Sequence, residues 1–291
     1  MKKRRPFFTG LFFLFLTAVL GTAMDWPVRD ARLIRNFGWN DQGRPALGSS
    51  FVGEGPILAA EKGELLFSRG GGSMASRLPS PLGSWLALDH GDGLISIYSR
   101  FLDAGETRAA KQVDRNEPLA RMGISGWASR GGVYFSLFDR RERRWINPSM
   151  IITPFPDSRQ PLFQFVLLRN SEGQQINPAQ VRTLRQGRYT VLAAVSDAMT
   201  SPGDPPLAPH RIVCSVNGSE IGALSFETLS SRDGRLMAYR NGLVPAKQVY
   251  APFPGFEIGE LAFTRGQATL EIVAQDVTGN SRSAVYRLLI E

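Results

Sequence analysis

The stretch Trp85-Leu-Ala-Leu-Asp-His-Gly-Asp-Gly-Leu-Ile-Ser-Ile-Tyr-Ser-Arg-Phe101 decides how the first half of the chain reads. Trp85, Ala87 and Asp89 alternate with Leu86, Leu88 and His90, the period of a strand with two unlike faces. Gly91-Asp-Gly93 supplies turn chemistry, and Leu94, Ile95, Ile97 and Tyr98 resume the apolar pattern. The segment predicts two antiparallel strands joined by a tight turn. Outward from it, Leu119-Ala-Arg-Met-Gly-Ile-Ser-Gly126 brings a Gly-bounded turn, Gly131-Gly-Val-Tyr-Phe-Ser-Leu-Phe138 a further strand, and Ile146-Asn-Pro148 a stop. Ser125 does not read as a nucleophile, because Gly123-Ile-Ser-Gly126 lacks the Gly-x-Ser-x-Gly frame and the helix that such an elbow requires.

In order and spacing these pieces resemble the LytM or lysostaphin-type zinc endopeptidase domain over roughly residues 26–152. In that family a strand pair reads apolar-x-apolar-x-His-Gly-x-Gly, then Thr-x-Tyr-x-His-Leu. A Gly-x-x-Gly turn, a strand carrying His-x-His-Phe-Glu, and Asn-Pro follow. The resemblance implies a β-sheet groove that handles peptidoglycan crosslinks. The framework is repeated here and the chemistry is not. Arg100, in Tyr98-Ser-Arg-Phe101, stands where the family has the catalytic His of Tyr-x-His-Leu, and Gly132-Val-Tyr134 stands where it has His-x-His. The family's His-x-x-x-Asp pair should precede the segment kept as Gly55-Pro-Ile-Leu-Ala-Ala60, but residues 43–53 hold neither His nor Asp. The resemblance therefore implies a remnant groove marked by Arg100, Gly132, Tyr134, His90 and Tyr98, with no catalytic residue, no metal ligand and the zinc site lost. It also implies that Arg100 and Tyr134 face each other, since the family positions they replace converge on one metal.

The residue inventory points the same way. A catalytic zinc site takes three protein ligands and one open position, and the chain has two histidines, His90 and His210. His90 lies in the Asp89-His-Gly turn, where a structural role is expected. The single cysteine forbids an internal disulfide, and its alternation in Ile212-Cys214-Val216 reads as a core strand. The alternative, an active peptidoglycan metalloendopeptidase with a site rebuilt from His90, Cys214 and carboxylates, needs ligands from two different predicted domains.

At 291 residues and 43% hydrophobic composition the chain can bury a sizeable core and is expected to form two domains behind a processed segment. Residues 1–23 carry the three parts of a secretory signal: basic Lys2-Lys-Arg-Arg5, an apolar stretch from Phe7 to Leu20, and Gly21-Thr-Ala23 as a cleavage site. The apolar stretch is short for a membrane span, so cleavage after Ala23 and export to the periplasm or cell envelope are expected. An uncleaved anchor is the one route to a membrane. Without the four positive charges of residues 2–5 the formal charge falls from +8 to +4, with 17 Lys/Arg against 14 Asp/Glu in residues 24–155 and 13 against 12 in residues 156–291. So mild a balance excludes a nucleic-acid-binding face.

Along the first domain, residues 24–155, Arg32-Leu-Ile-Arg-Asn-Phe-Gly38 reads as a first strand. Ile57-Leu-Ala-Ala60 and Glu64-Leu-Leu-Phe67 flank Glu61-Lys-Gly63 as an expected hairpin. Residues 69–81 form a Gly/Ser/Pro-rich loop, and Asp139-Arg-Arg-Glu-Arg-Arg144 is a charged hairpin loop. Pro154-Phe-Pro156 with Asp157 and Ser158 marks the boundary to residues 156–291. There, runs at 162–168, 188–195, 211–216, 261–263, 269–274 and 284–290 are apolar or alternating and separated by turn residues, the pattern of a β-sandwich. The last two, joined by Asp276-Val-Thr-Gly-Asn280, resemble the closing hairpin of an immunoglobulin-like module. The expected fold is mostly β, a LytM-like groove domain followed by an immunoglobulin-like sandwich. The expected role is a non-catalytic envelope protein that binds peptidoglycan or docks a cell-wall hydrolase or envelope complex.

Overall fold

The computed structural model describes residues 24–70, 79–102, 111–198, 203–250 and 255–291. The expected signal segment and most of the Gly/Ser/Pro-rich loop lie outside the described residues. The chain is mostly β. Among the described residues no helix is long and apolar enough to cross a membrane.

The first half is built around the hairpin that the alternation predicts. Strands Ser84–Asp89 and Leu94–Phe101 pair antiparallel, with the His90 amide donating to Leu94 O at 2.9 Å across the turn. Gly91, Asp92 and Gly93 all take positive φ there, which glycine accepts without steric cost and Asp tolerates better than most residues. Gly63–Arg69 pairs with the outer edge of Ser84–Asp89. Gly132–Asp139 pairs with Leu94–Phe101, and its other edge is shared. Ser49–Val52 occupies residues 132–135 and Arg144–Ile146 residues 137–139. Arg32–Arg35 then closes on Ser49–Val52. Leu86, Tyr98, Phe51, Phe135 and Leu137 point to one face and are buried at 2% exposure or less. Before and after these strands, Trp26 and Phe155 stack at 5.0 Å and close over Phe51.

One expected hairpin is not formed. Pro56–Leu58 pairs with Pro118–Arg121 in a separate two-stranded sheet, and Gly63–Arg69 joins the main sheet. Ala59 and Ala60 turn the corner between them fully buried. The Ala59 amide donates to Glu117 O and that of Ala60 to the Tyr98 hydroxyl. Distant partners satisfy the backbone that a hairpin would have paired locally. The charged segment 139–144 does form the expected loop, with Asp139 accepting from the amides of Arg141 and Glu142.

In the second half two sheets enclose one core. Leu162–Asn170, Gly187–Ala198 and Phe256–Phe263 form one. Arg211–Val216, Ser219–Arg232, Gly266–Gln275 and Ser281–Ile290 belong to the other. Ile212, Cys214, Ile258, Leu270 and Ile272 lie fully buried between them. The hairpin around Asp276 forms as the alternation predicts. The long strand Ser219–Arg232 has no counterpart among the expected strands, because its many Ser residues and Gly222 interrupt any apolar run.

The halves are joined through the sheet itself. Arg144–Ile146 pairs with Thr228, Leu229 and Ser230, so one sheet runs from the first core into the second. Phe37 from the first half is buried in the second core, and Leu207 from the second half in the first. The Asn36 side chain exchanges two hydrogen bonds with the backbone of Ala208, at 2.9 and 2.7 Å.

Candidate functional site

On the face opposite the first core, one rung of the sheet crosses five strands as Arg35, Ser50, Tyr134, Ser99 and Trp85, each opposite the next. Residues directly opposite in antiparallel strands point to the same side. The rung therefore presents Tyr134 to the groove with Ser50 and Ser99 beside it.

Arg100 reaches this face through an irregularity. Two residues after Tyr98, it would share the core-facing side in a regular strand. The register shifts instead: Ser99 lies opposite Trp85 and Phe101 opposite Ser84, leaving Arg100 as the extra residue of a bulge. Its φ is 71°, its amide donates to Leu82 O at 2.8 Å, and its guanidinium lies 4.8 Å above the centre of the Tyr134 ring. That distance makes a cation–π contact. Burial holds the Arg100 pKa below its ordinary value, with nearby Arg35 adding to the effect and Tyr134 opposing it. The group remains a cation, since arginine is not deprotonated in proteins. Burial likewise pushes the Tyr134 phenol up to about 12, against the pull of Arg100 and a backbone hydrogen bond with Leu47. Arg100 lines a cavity of about 310 Å³ whose walls also include Ile34, Val52, Arg35, Asp41 and Arg130. Arg35 and Asp41 pair at 2.8 Å.

Gly132 lies beside the rung, and its lack of a side chain is enforced. A Cβ there would overlap the carbonyl oxygen of Phe51 in the neighbouring strand. No histidine can stand at this position without parting the strands.

His90 and Tyr98 do not line the groove. Tyr98 is fully buried on the core face, and its hydroxyl accepts from the Ala60 amide at 2.8 Å and shares a 3.1 Å hydrogen bond with Ser96 Oγ. Burial pushes this phenol up to about 12. His90 is held by Lys62 O at 2.8 Å from Nδ1 and by Ser96 Oγ at 2.7 Å from Nε2. Burial keeps its pKa below 6.5. The bond to Lys62 O makes Nδ1 the protonated nitrogen and leaves Nε2 as acceptor. The structure thus brings Arg100, Gly132 and Tyr134 together and keeps His90 and Tyr98 apart, because period two and the turn put the latter pair on the far face. Sequence reasoning missed Arg35, Ser50 and Arg130. Only strand register joins the first two to Tyr134, and no local pattern marks them.

Of the pieces that carry the sequence resemblance, the strands at 84–89, 94–101 and 132–139 are adjacent and paired in one sheet, while those at 56–58 and 118–121 pair with each other in a second. Solved M23 peptidase structures are among those to which this chain is similar. Among solved structures, similar chains include a putative peptidase M23 from Pseudomonas aeruginosa, at 24% identity over 40% of this chain and 44% of that one, TM-score 0.31. The catalytic domain of the prophage-encoded M23 protein EnpA from Enterococcus faecalis matches at 18% identity over 44% of this chain and 97% of that one, TM-score 0.35. A chain of the SpoIIQ–SpoIIIAH pore-forming complex matches at 15% identity, over 44% and 90%, with a TM-score of 0.33. This chain spans less than half the length of the Pseudomonas protein. A protein-family model matches residues 160–291. No curated protein matches the chain.

Zinc, which the LytM-type endopeptidases use, finds no fitting donor set at the groove. The rung offers a guanidinium, two serine hydroxyls and a phenol held neutral, and Gly132 leaves no room for an imidazole. His90 is tied into its turn, and Cys214 is fully buried in the second core with its thiol pushed up to about 12. Elsewhere, Asp157, Asp197 and Asp276 bring carboxylate oxygens within 4.8 Å of one another. Asp276 already accepts from Thr278 and Asn280 at 2.7–2.9 Å and caps its own hairpin turn.

Proposed function

We propose that the chain is a non-catalytic envelope protein whose LytM-like groove binds peptidoglycan or docks a cell-wall enzyme or envelope complex. The observation that carries this reading is Arg100, which stacks on Tyr134 and lines an open, polar cavity. A guanidinium cannot serve as a general base at neutral pH, and it repels a metal cation. The same pair leaves the groove accessible, with charged and hydroxyl groups facing into it. Loss of hydrolytic residues with retention of an open groove favours binding over both hydrolysis and a purely structural use.

The proposal places the mature chain in the periplasm or cell envelope after removal of residues 1–23. It assigns residues 24–155 to the groove domain and residues 156–291 to an immunoglobulin-like sandwich. SpoIIQ is described in a complex with SpoIIIAH, and a protein partner is the docking form of the present proposal.

Pull-down with purified sacculi and with envelope extract, run beside a crosslink-cleavage assay and zinc analysis of unchelated protein, tests the reading. Capture on sacculi or by a defined envelope protein, with neither cleavage nor zinc, is expected. About one zinc per chain together with crosslink cleavage would sink it.

A further inference from the structure

Arg100 carries costs that its contact with Tyr134 offsets only in part. It is a half-buried cation with no acidic partner among the described residues, and its Nε is buried without a hydrogen-bond partner. Its φ of 71° lies in the left-handed region that side chains disfavour. A buried charge is expensive unless paired, and both costs fall on one residue at the floor of one cavity. Arg35 and Arg130 line the same cavity, and Asp41, bonded to Arg35, is the single carboxylate beside them. Three guanidinium groups against one carboxylate leave the lining positively charged.

We infer that this cavity is a receptor for the terminal carboxylate of a short peptide, with Arg100 as the residue that grips it. The inference rests on the binding role proposed for the groove and names the chemical class bound. With its face against Tyr134, the guanidinium still lines the cavity, and a planar guanidinium matches a carboxylate through two parallel hydrogen bonds. Ile34 and Val52 supply an apolar wall for a small side chain next to that carboxylate, and Ser50 and Ser129 supply hydroxyls. A volume of about 310 Å³ is at the small end for ligand sites. It suits one or two residues of a chain end rather than a continuous polymer. An anion here relieves the Arg100–Arg35 repulsion beyond what Asp41, already bonded to Arg35, does.

The test uses the mature chain and three probes: N-acetyl-Ala-Ala as the free acid in both L and D forms, its C-terminal amide, and N-acetyl-Glu amide. Titration calorimetry measures affinity, and Trp127, on the cavity wall, reports position by fluorescence. The free acid is expected to bind at least about tenfold more tightly than the amide, and to weaken as salt rises from about 0.05 M to about 0.5 M. Arg100→Asn should lower that affinity at least about tenfold while the melting temperature holds, since Asn tolerates left-handed backbone. Arg100→Lys keeps the charge and should still lose several-fold, because an ammonium cannot make the two parallel bonds. It serves as the test if Arg100→Asn fails to fold.

Equal affinity for acid and amide, or undiminished binding by folded Arg100 variants, overturns the inference. Preferential binding of N-acetyl-Glu amide overturns the terminus assignment in favour of a side-chain carboxylate. Sacculus and envelope pull-downs with the same variants separate the two levels. If no probe binds but capture persists, the carboxylate receptor falls and the docking role stands. If capture also fails for the unmodified chain, the docking role falls as well.

Discussion

Adjacent glycines at 131 and 132 should respond oppositely to the same added methyl group. At Gly132 a Cβ overlaps the Phe51 carbonyl oxygen and comes within 3.2 Å of the Val52 Cα. Both obstacles are backbone atoms of the paired strand, so no side chain can swing aside. Overpacking by one methyl group costs about 1–3 kcal/mol. The upper end applies here because relief means parting the pairing of residues 132–135 with Ser49–Val52. At Gly131 the nearest atom to a Cβ is Gly53 O at 3.7 Å, ordinary contact. Alanine there removes freedom from the unfolded chain and should be neutral or stabilise by about 0.4–1 kcal/mol. For a chain of this size each kcal/mol shifts the midpoint by about 2–4 °C. Gly132→Ala is therefore expected to melt about 6–12 °C lower, and Gly131→Ala to melt at or slightly above the parent. Differential scanning calorimetry, with urea unfolding as a second probe, reads the difference. Equal stability of the two variants would refute the claim that the strands close too tightly for a side chain at 132. It would also reopen the possibility of placing a histidine there.

Tyr98→Phe strands the Ala60 amide, which has the Tyr98 hydroxyl as its acceptor in the buried first core, and should cost about 1–3 kcal/mol in urea unfolding. An unchanged midpoint would show that another acceptor takes over. Asn36→Ala removes the paired bonds to Ala208 that tie the halves together. It should cost a similar amount, about 1–3 kcal/mol, and speed hydrogen exchange at the Ala208 amide; unchanged exchange there would count against the tie. Burial holds the pKa of both His90 and His210 below 6.5 in the folded chain. The unfolded chain then takes up protons first as pH falls. The stability from neutral imidazoles is present above pH 6.5 and is lost as pH drops through 6.5 toward the folded values. Melting midpoints from pH 7.5 to pH 5 should fall, and the His90→Gln, His210→Gln double variant should flatten that slope; an equally steep slope in the double variant rules out this cause.

The sequence by itself determined the elements whose signal is local. Alternation around Gly91-Asp-Gly93 specified the central hairpin, because period-two patterning and glycine at positive φ are properties of a few consecutive residues. The same logic placed Cys214 in a core strand and His90 in a turn. Residue types at Arg100, Gly132 and Tyr134 carried the expectation that the resemblance to zinc endopeptidases stops short of the metal's ligands. Only the tertiary structure decided which side of the sheet each residue serves. Arg100 leaves the face of Tyr98 through a bulge, and a bulge depends on how the partner strand registers, which no local pattern encodes. The same holds for Pro56–Leu58, drawn to a distant partner when a hairpin was the local expectation, and for Phe37, buried in a core built by the other half of the chain. Contacts between residues far apart in sequence set register and burial, and those contacts turn a list of altered motif residues into one positively charged cavity.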